Sequence, residues 1–192
     1  MEQEQKIVII KNNFPQIDEN ENYYLHDYPP YWIDKAAGIR NPDVTCHTRL
    51  IMDFKSNNEV SKQRSHDLFF NSVNPYLKKG IPVSIVPSHD PEKRTSNLVK
   101  LGQSLANDGR IDATSCLQRI IKIAKLADGG DRSIEVHLKS IRVVDIELIE
   151  QRHILLLDDV TTTGNSFIAC KRLLLMSGAS DVTCLALGKT KR

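Results

Sequence analysis

Apolar residues are set along this chain in two rhythms, short unbroken runs and helical stripes, and the two alternate. Ile81 to Val86 (I-P-V-S-I-V) is a run of strand length that ends in the turn-forming stretch Pro87-Ser88-His89-Asp90-Pro91. Leu98, Leu101, Gly102, Leu105 and Ala106 follow at i, i+3, i+4, i+7 and i+8, which predicts an amphipathic helix that Ser96 or Asn97 can cap. The arrangement returns from His153 onward. Ile154 to Leu157 predict a buried strand, the residues from Asp158 to Ser166 a polar loop, and Phe167, Ile168, Leu173, Leu174 and Leu175 a helix reaching Met176. Ser177-Gly178-Ala179 then turns the chain into a last strand, Val182 to Leu187. Such alternation predicts an α/β fold with a central, mostly parallel sheet flanked by helices, Rossmann-like in layout, with ligands at the carboxyl ends of the strands.

Elsewhere the pattern leaves alternatives. Lys6 to Ile10 reads as a marginal strand, and Thr48 to Phe54 is short enough to be strand or helix. After the polar stretch Lys55 to Asp67, Leu68, Phe69, Val73, Tyr76 and Leu77 predict a helix, with Pro75 as a kink or fresh start and Lys78-Lys79-Gly80 as a stop. Cys116 to Leu126 has helical character, and Asp128-Gly129-Gly130-Asp131 breaks it. Ile134, Val136 and Leu138 then alternate as in a strand, as do Ile141 with Val143 and Ile146 with Leu148. This glycine-broken basic segment reads as a mobile lid or as a solvated hairpin. Near the amino terminus, Pro15, Pro29 and Pro30 interrupt a segment that holds Tyr23, Tyr24, Tyr28, Tyr31 and Trp32. Those rings either stack a nucleobase or anchor a loop-rich subdomain. The division expected is a hood over residues 1–47 and an α/β domain over residues 48–192.

Composition narrows the class. With 192 residues and 40% hydrophobic content, the chain can bury a full core as one compact domain. Net charge is only +2, so nucleic acid is not indicated as a partner. The charge is uneven: Met1 to Asp34 carries 2 basic and 7 acidic residues, net −5, whereas Lys93 to Arg142 carries 10 basic and 5 acidic, net +5. A cationic middle suits a polyanionic small molecule or is simply a solvated surface. No apolar run has membrane-spanning length, and the start M-E-Q-E-Q-K lacks a secretory pattern, so a soluble cytoplasmic protein is expected. Cys46, Cys116, Cys170 and Cys184 are widely spaced without C-x-x-C, so no zinc or thioredoxin-like site is signalled; Cys170 and Cys184 read as reduced core residues.

Neither G-x-x-x-x-G-K-[ST], G-x-G-x-x-G nor H-E-x-x-H occurs. The chemistry therefore rests on H-I-L-L-L-D-D-V-T-T-T-G-N-S, residues His153 to Ser166. Ionised Asp158 and Asp159 only accept hydrogen bonds, which suits the two hydroxyls of a ribose diol. Thr161, Thr162, Thr163 and Ser166 offer hydroxyl donors, and Gly164 permits a bend that brings backbone amides, Asn165 among them, close to a phosphate at a helix start. A diol at one end and phosphate at the other describe a ribose 5-phosphate.

L-L-L-D-D-V-T-T-T-G-N-S resembles the phosphoribosyl pyrophosphate (PRPP) binding signature of type I phosphoribosyltransferases at every defining position. The wider spacing looks most like the competence-associated ComF branch: Lys55 after an apolar segment, Val86-Pro87-Ser88 at a strand end, and Arg94 with Asn97 as in its R-G-x-N element, where Thr95 replaces the glycine. The zinc ribbon common in that branch is replaced by the aromatic segment. The resemblance implies that Asp158 and Asp159 hold the ribose hydroxyls, that Thr161 to Ser166 take the 5-phosphate, and that Ser88, His89 and Asp90 form the pyrophosphate loop. His89 is either ligand-facing or an exposed loop residue. Magnesium would arrive bound to the substrate rather than mainly to protein. Cations near the leaving group stabilise charge that grows in the transition state, and Lys93, Arg94, Arg119 and Lys122 are the candidates. The function implied is transfer of 5-phosphoribosyl between PRPP and a nitrogenous base, with PRPP or a nucleotide as small-molecule partner. A non-catalytic sensor that controls a regulatory protein partner is the alternative, and a homodimer is left open.

Overall fold

A computed structural model describes residues 16–34, 36–93, 95–124 and 133–191. The Lys6 to Ile10 strand, Arg94 and the glycine-rich break at 128–131 lie outside the described residues.

The five parallel strands of the main sheet are β2 (Tyr23–Tyr28), β5 (Pro82–Ile85), β6 (Ile111–Asp112), β9 (His153–Thr161) and β10 (Asp181–Thr190); β1 (Gln16–Ile17) adds an antiparallel edge, giving the order β1-β2-β10-β9-β5-β6. Two small antiparallel pairs form separate sheets, β3 (Trp32–Asp34) with β4 (Ile39–Arg40) and β7 (Leu117–Arg119) with β8 (Ile141–Val143). Among the described residues there are five α-helices, α1 (Cys46–Phe54), α2 (Glu59–Val73), α3 (Asn97–Asn107), α4 (Ile134–Ser140) and α5 (Asn165–Met176), and short 3-10 turns at Asn74–Tyr76 and Ile146–Leu148. Among the described residues, no helix is long and apolar enough to cross a membrane.

The central strands β5, β9 and β10 are buried on both faces along their apolar runs, and successive side chains divide the core in two. Leu155, Leu157, Leu185 and Leu187 face one layer with Ile51 and Phe54 of α1, Phe69 and Val73 of α2 and Leu101 and Leu105 of α3. Ile154, Leu156, Cys184 and Ala186 face the other, with Phe167, Cys170 and Leu174 of α5. The fold is therefore α/β with a mostly parallel central sheet flanked by helices, as expected. Cys170 and Cys184 are free and buried, and burial pushes the Cys184 thiol up to about 12, so both serve as apolar filling.

The helix starts have local causes. Thr45 Oγ1 accepts from Thr48 N at 3.2 Å while Thr48 Oγ1 accepts from Thr45 N at 3.4 Å, a reciprocal cap that settles residues 46–54 as helix. Ser96 caps α3 by accepting from Val99 N. Gly188 on β10 lies under α1: a Cβ there would meet Ile51 Cδ1 at 2.5 Å and Tyr28 Cβ at 3.1 Å, so the missing side chain sets how closely α1 approaches the sheet.

Four expectations are corrected. Residues 146–148, read as alternating like a strand, form a single 3-10 turn. Residues 117–119, read as part of a helical stretch, form β7 against β8. Residues 134–140, read as alternating strand, form α4, because the positions it buries are the polar His137 and Ser140 and hydropathy does not mark its inward face. Helix α2 begins at Glu59, within the stretch read as polar linker, since Ser65 is the first residue it buries. Within the amino-terminal segment, Tyr24 is buried and Tyr23 and Tyr28 pack on the core from β2, while Arg40 stacks over Tyr31 and Trp32.

Candidate functional site

Parallel strands bring their carboxyl ends to one edge of the sheet, and a cavity of about 1170 Å³ opens there between the ends of β5 and β9. Its lining includes Ser88, His89, Asp90, Lys93, Arg119, Asp158, Asp159 and every residue from Thr161 to Ser166. These candidate site residues thus share one cavity, whereas Lys122, the remaining described candidate cation, is not part of its lining. Arg94 lies outside the described residues.

Strand β9 runs further than its apolar core suggests, through Thr161, so both carboxylates sit on the strand rather than in a loop. Its parallel partner β10 stays in register past them, with Ala186 opposite Asp158 and Lys189 opposite Thr161. Asp158 Oδ1 accepts from Asp159 N at 2.8 Å. Asp159 Oδ1 lies 2.9 Å from Lys55 Nζ, which projects from the end of α1. Burial opposes the charge on Lys55, but attraction and hydrogen bonding from Asp159, with Asp158 and Tyr28 behind it, outweigh that and raise its pKa above the usual lysine value.

The chain then turns through Thr162 and Thr163 to Gly164, whose φ of +78° is the left-handed conformation glycine adopts without strain. The first ladder bond of α5 runs from Ile168 N to Gly164 O. Gly164, Asn165 and Ser166 of this helix start line the cavity, and the start of a helix favours an anion. Thr162 and Thr190 share a hydroxyl hydrogen bond at 2.8 Å, joining the loop to the end of β10. A Cβ on Gly164 would lie 3.3 Å from Asn20 Nδ2 and 3.4 Å from Asn22 Nδ2, so the β1–β2 turn covers this loop.

Facing it is the loop of residues 87–90. Asp90 Oδ2 pairs with Lys122 Nζ at 2.7 Å, and Asp90 N approaches Ser88 Oγ at 3.4 Å. The hydrogen bond from Lys122, then the one from Glu92 N, holds the Asp90 carboxyl below its usual value, and the same pair raises Lys122. Because the folded pKa of Asp90 is depressed, its stabilising contribution is present above the usual carboxylate range and is lost as pH falls through the lowered value. Lys122→Met is expected to return the Asp90 titration midpoint toward its ordinary value, read from carboxyl carbon shifts by NMR, with little change in unfolding free energy because the lysine is exposed. An unmoved midpoint would refute the pairing in solution.

Arg119 is 6% exposed and bonded inward. Its Nε donates to Ser88 O at 2.9 Å, Nη1 to Ser140 Oγ at 2.5 Å, and Nη2 to Pro87 O at 3.4 Å. Lys93 is exposed at the cavity rim, its backbone N–H bonded to Asp90 O. Asn97, linked above to an R-G-x-N element, is buried and donates to Lys62 O at 3.1 Å, joining α2 to α3. Sequence reasoning did not single out Thr114, Ser115, Gln118 and Thr190, which also line the cavity. They are uncharged polar residues in ordinary sequence contexts, and tertiary proximity alone marks them.

No family model matches the chain, and no curated protein matches it. Among solved structures it is similar to the phosphoribosylpyrophosphate synthetase of Mycobacterium smegmatis, at 19% identity and a TM-score of 0.37, over 65% of this chain and 33% of that one. The match therefore spans about a third of that protein's length. It is also similar to the hypoxanthine phosphoribosyl transferase of Trypanosoma cruzi, at 12% identity and a TM-score of 0.33, over 76% of each chain. Likenesses of this size carry no argument about function.

Proposed function

We propose that the cavity binds PRPP with magnesium and transfers its 5-phosphoribosyl group to or from a nitrogenous base. The observation that carries this reading is the succession on one strand–loop–helix unit of two adjacent carboxylates and an amide- and hydroxyl-rich turn, with a second polar loop across the cavity. Asp158 and Asp159 accept from the ribose hydroxyls, and Lys55 orients the Asp159 carboxylate by its 2.9 Å contact. Residues 161–166 bind the 5-phosphate, and residues 88–90 receive the pyrophosphate. During transfer the C1–O bond breaks with its electron pair leaving on pyrophosphate, and the base nitrogen's lone pair forms the new C1–N bond. Lys93 and Arg94 are assigned to the leaving charge, whereas Arg119 supports the loop beneath it.

Magnesium fits this assignment as a substrate-borne ion. It takes oxygen ligands and keeps several from water or phosphate. Among the described residues no cluster of three or more His, Cys, Asp or Glu side chains offers a cage. Asp158 and Asp159 would offer carboxylate oxygens in support, and the ion would supply positive charge against the departing pyrophosphate.

A second reading is a sensor that binds PRPP or a nucleotide and regulates a protein partner without turnover. It is favoured by the internal engagement of two candidate cations, Arg119 with the loop backbone and Lys122 with Asp90. Titration of magnesium and PRPP while monitoring thermal unfolding tests both, since a ligand of the native state raises the midpoint with its concentration. A rise is expected, and none at millimolar ligand sinks both readings. Pyrophosphate release on adding a panel of bases then marks the enzyme, and its absence with every base leaves the sensor.

A further inference from the structure

Behind the cavity a line of buried polar groups connects its two loops. Arg119 holds the carbonyls of Pro87 and Ser88 on one side. Its Nη2 also lies 3.3 Å from Nδ1 of His137, a side chain on α4 with no solvent exposure. The other ring nitrogen of His137, Nε2, lies 3.3 Å from Ser166 Oγ in the first turn of α5. Ser140, also on α4, accepts from Arg119 Nη1 and donates to Val136 O, which fixes the guanidinium from below.

The direction of these bonds follows from the groups themselves. A guanidinium has donors and no acceptor, so His137 Nδ1 must present its lone pair to Arg119. The ring is then the neutral tautomer protonated on Nε2, and that N–H donates to Ser166 Oγ. With one lone pair taken, the Ser166 hydroxyl directs its own proton away from α4, toward the cavity that Ser166 lines. A serine free to rotate would spend part of its time with that proton pointed elsewhere.

We propose that His137 is a positioning residue that sets the hydrogen-bond direction of Ser166, making it a fixed donor to a phosphate oxygen, and that Arg119 transmits the position of the 87–88 loop to the same hydroxyl. The inference rests on the ribose-phosphate reading of the cavity and deepens it. Occupancy of one anion loop orders the other through this line.

Two substitutions divide the ring's two jobs. His137→Asn keeps an acceptor near Nδ1 for Arg119 and loses the reach to Ser166; His137→Gln extends a donor to Ser166 and gives up the Arg119 contact. Calorimetric titration of ribose 5-phosphate into the full chain is expected to show roughly tenfold weaker binding for His137→Asn, the scale of one hydrogen bond to a charged group. His137→Gln should stay within about threefold of wild type on the same scale. In a Ser166→Ala background, neither change should weaken binding further, because the group they act through is gone. Ligand-free thermal midpoints confirm that each variant folds. Equal losses in both variants, or losses that add to that of Ser166→Ala, would show a merely structural role and overturn the proposal. If wild type itself fails to bind ribose 5-phosphate, the reading of the cavity falls first and the relay with it; wild-type binding with His137→Asn unchanged overturns the relay alone.

Discussion

Asp158→Asn combined with Asp159→Asn abolishes the rise in thermal midpoint that magnesium and PRPP give the wild-type chain. For a ligand at a hundred times its dissociation constant, mass action stabilises the native state by about 2.7 kcal/mol. In a domain of this size each kcal/mol moves the midpoint by roughly 2–4 °C, so the expected wild-type shift is about 5–10 °C. The two amides keep the size of the carboxylates but replace half their acceptor oxygens with donors, which oppose the donating hydroxyls of a ribose diol. The ligand-free protein should change little. Lys55 and Asp159 are 43% and 31% exposed, and a pair so placed contributes under about 1 kcal/mol. The raised pKa of Lys55 makes that contribution complete below the usual lysine range and lost as pH rises through the folded value, so at neutral pH the double variant loses it in full. Differential scanning calorimetry with and without ligand separates the two effects. A full ligand shift in the double variant would refute the ribose contact.

Arg110→Met produces the largest loss of stability, with ligand binding preserved in whatever fraction folds. The Arg110 side chain is fully buried at the foot of the sheet and is surrounded by acceptors. Nε donates to Lys78 O, Nη1 to Leu105 O and Asn74 Oδ1, and Nη2 to Leu77 O and Asn74 O. One planar fork thereby closes the end of α3, the turn after α2 and the approach to β5. Methionine fills much of the volume and satisfies none of those oxygens, and breaking a buried charged network of this kind costs about 3–5 kcal/mol. The midpoint should fall by roughly 6–20 °C. A fall of under about 3 °C by the same scaling would mean that water replaces the guanidinium without penalty.

Legibility in the sequence followed burial. Where a segment buries apolar residues at a regular period, as α3 does with Leu98, Leu101, Leu105 and Ala106, periodicity and structure agree residue by residue. Where the buried positions are polar, the period vanishes: α4 turns His137 and Ser140 inward and leaves Ile134, Val136 and Leu138 half-exposed, so it resembles a strand on paper. The cavity showed the same division. Asp158 to Ser166 are contiguous and chemically unusual, and they stood out at once. Lys55 was noted only through a resemblance, and its meeting with Asp159 depends on α1 packing over the sheet. Arg119 looked like one surface cation among several because sequence cannot show that its donors are consumed by backbone carbonyls. His137 had no signal at all, since Arg119 lies 18 residues before it and Ser166 lies 29 after it.

The position of β10 between β2 and β9 has a consequence for how the protein comes into being. Among the described residues, the strand beside the two carboxylates is the last in chain order, and β2, nearly the first, reaches the rest of the sheet through it. During synthesis, residues 16–34 leave the ribosome early and then have no edge to join until residues 181–190 follow. The turn that covers Gly164 travels with β2, so the phosphate loop acquires its cover in the same late step. A nascent chain halted before β10 can hold the β5–β9 pairing and its helices, yet it cannot assemble the mouth of the cavity. Ligand capture is thereby tied to completion of the sheet.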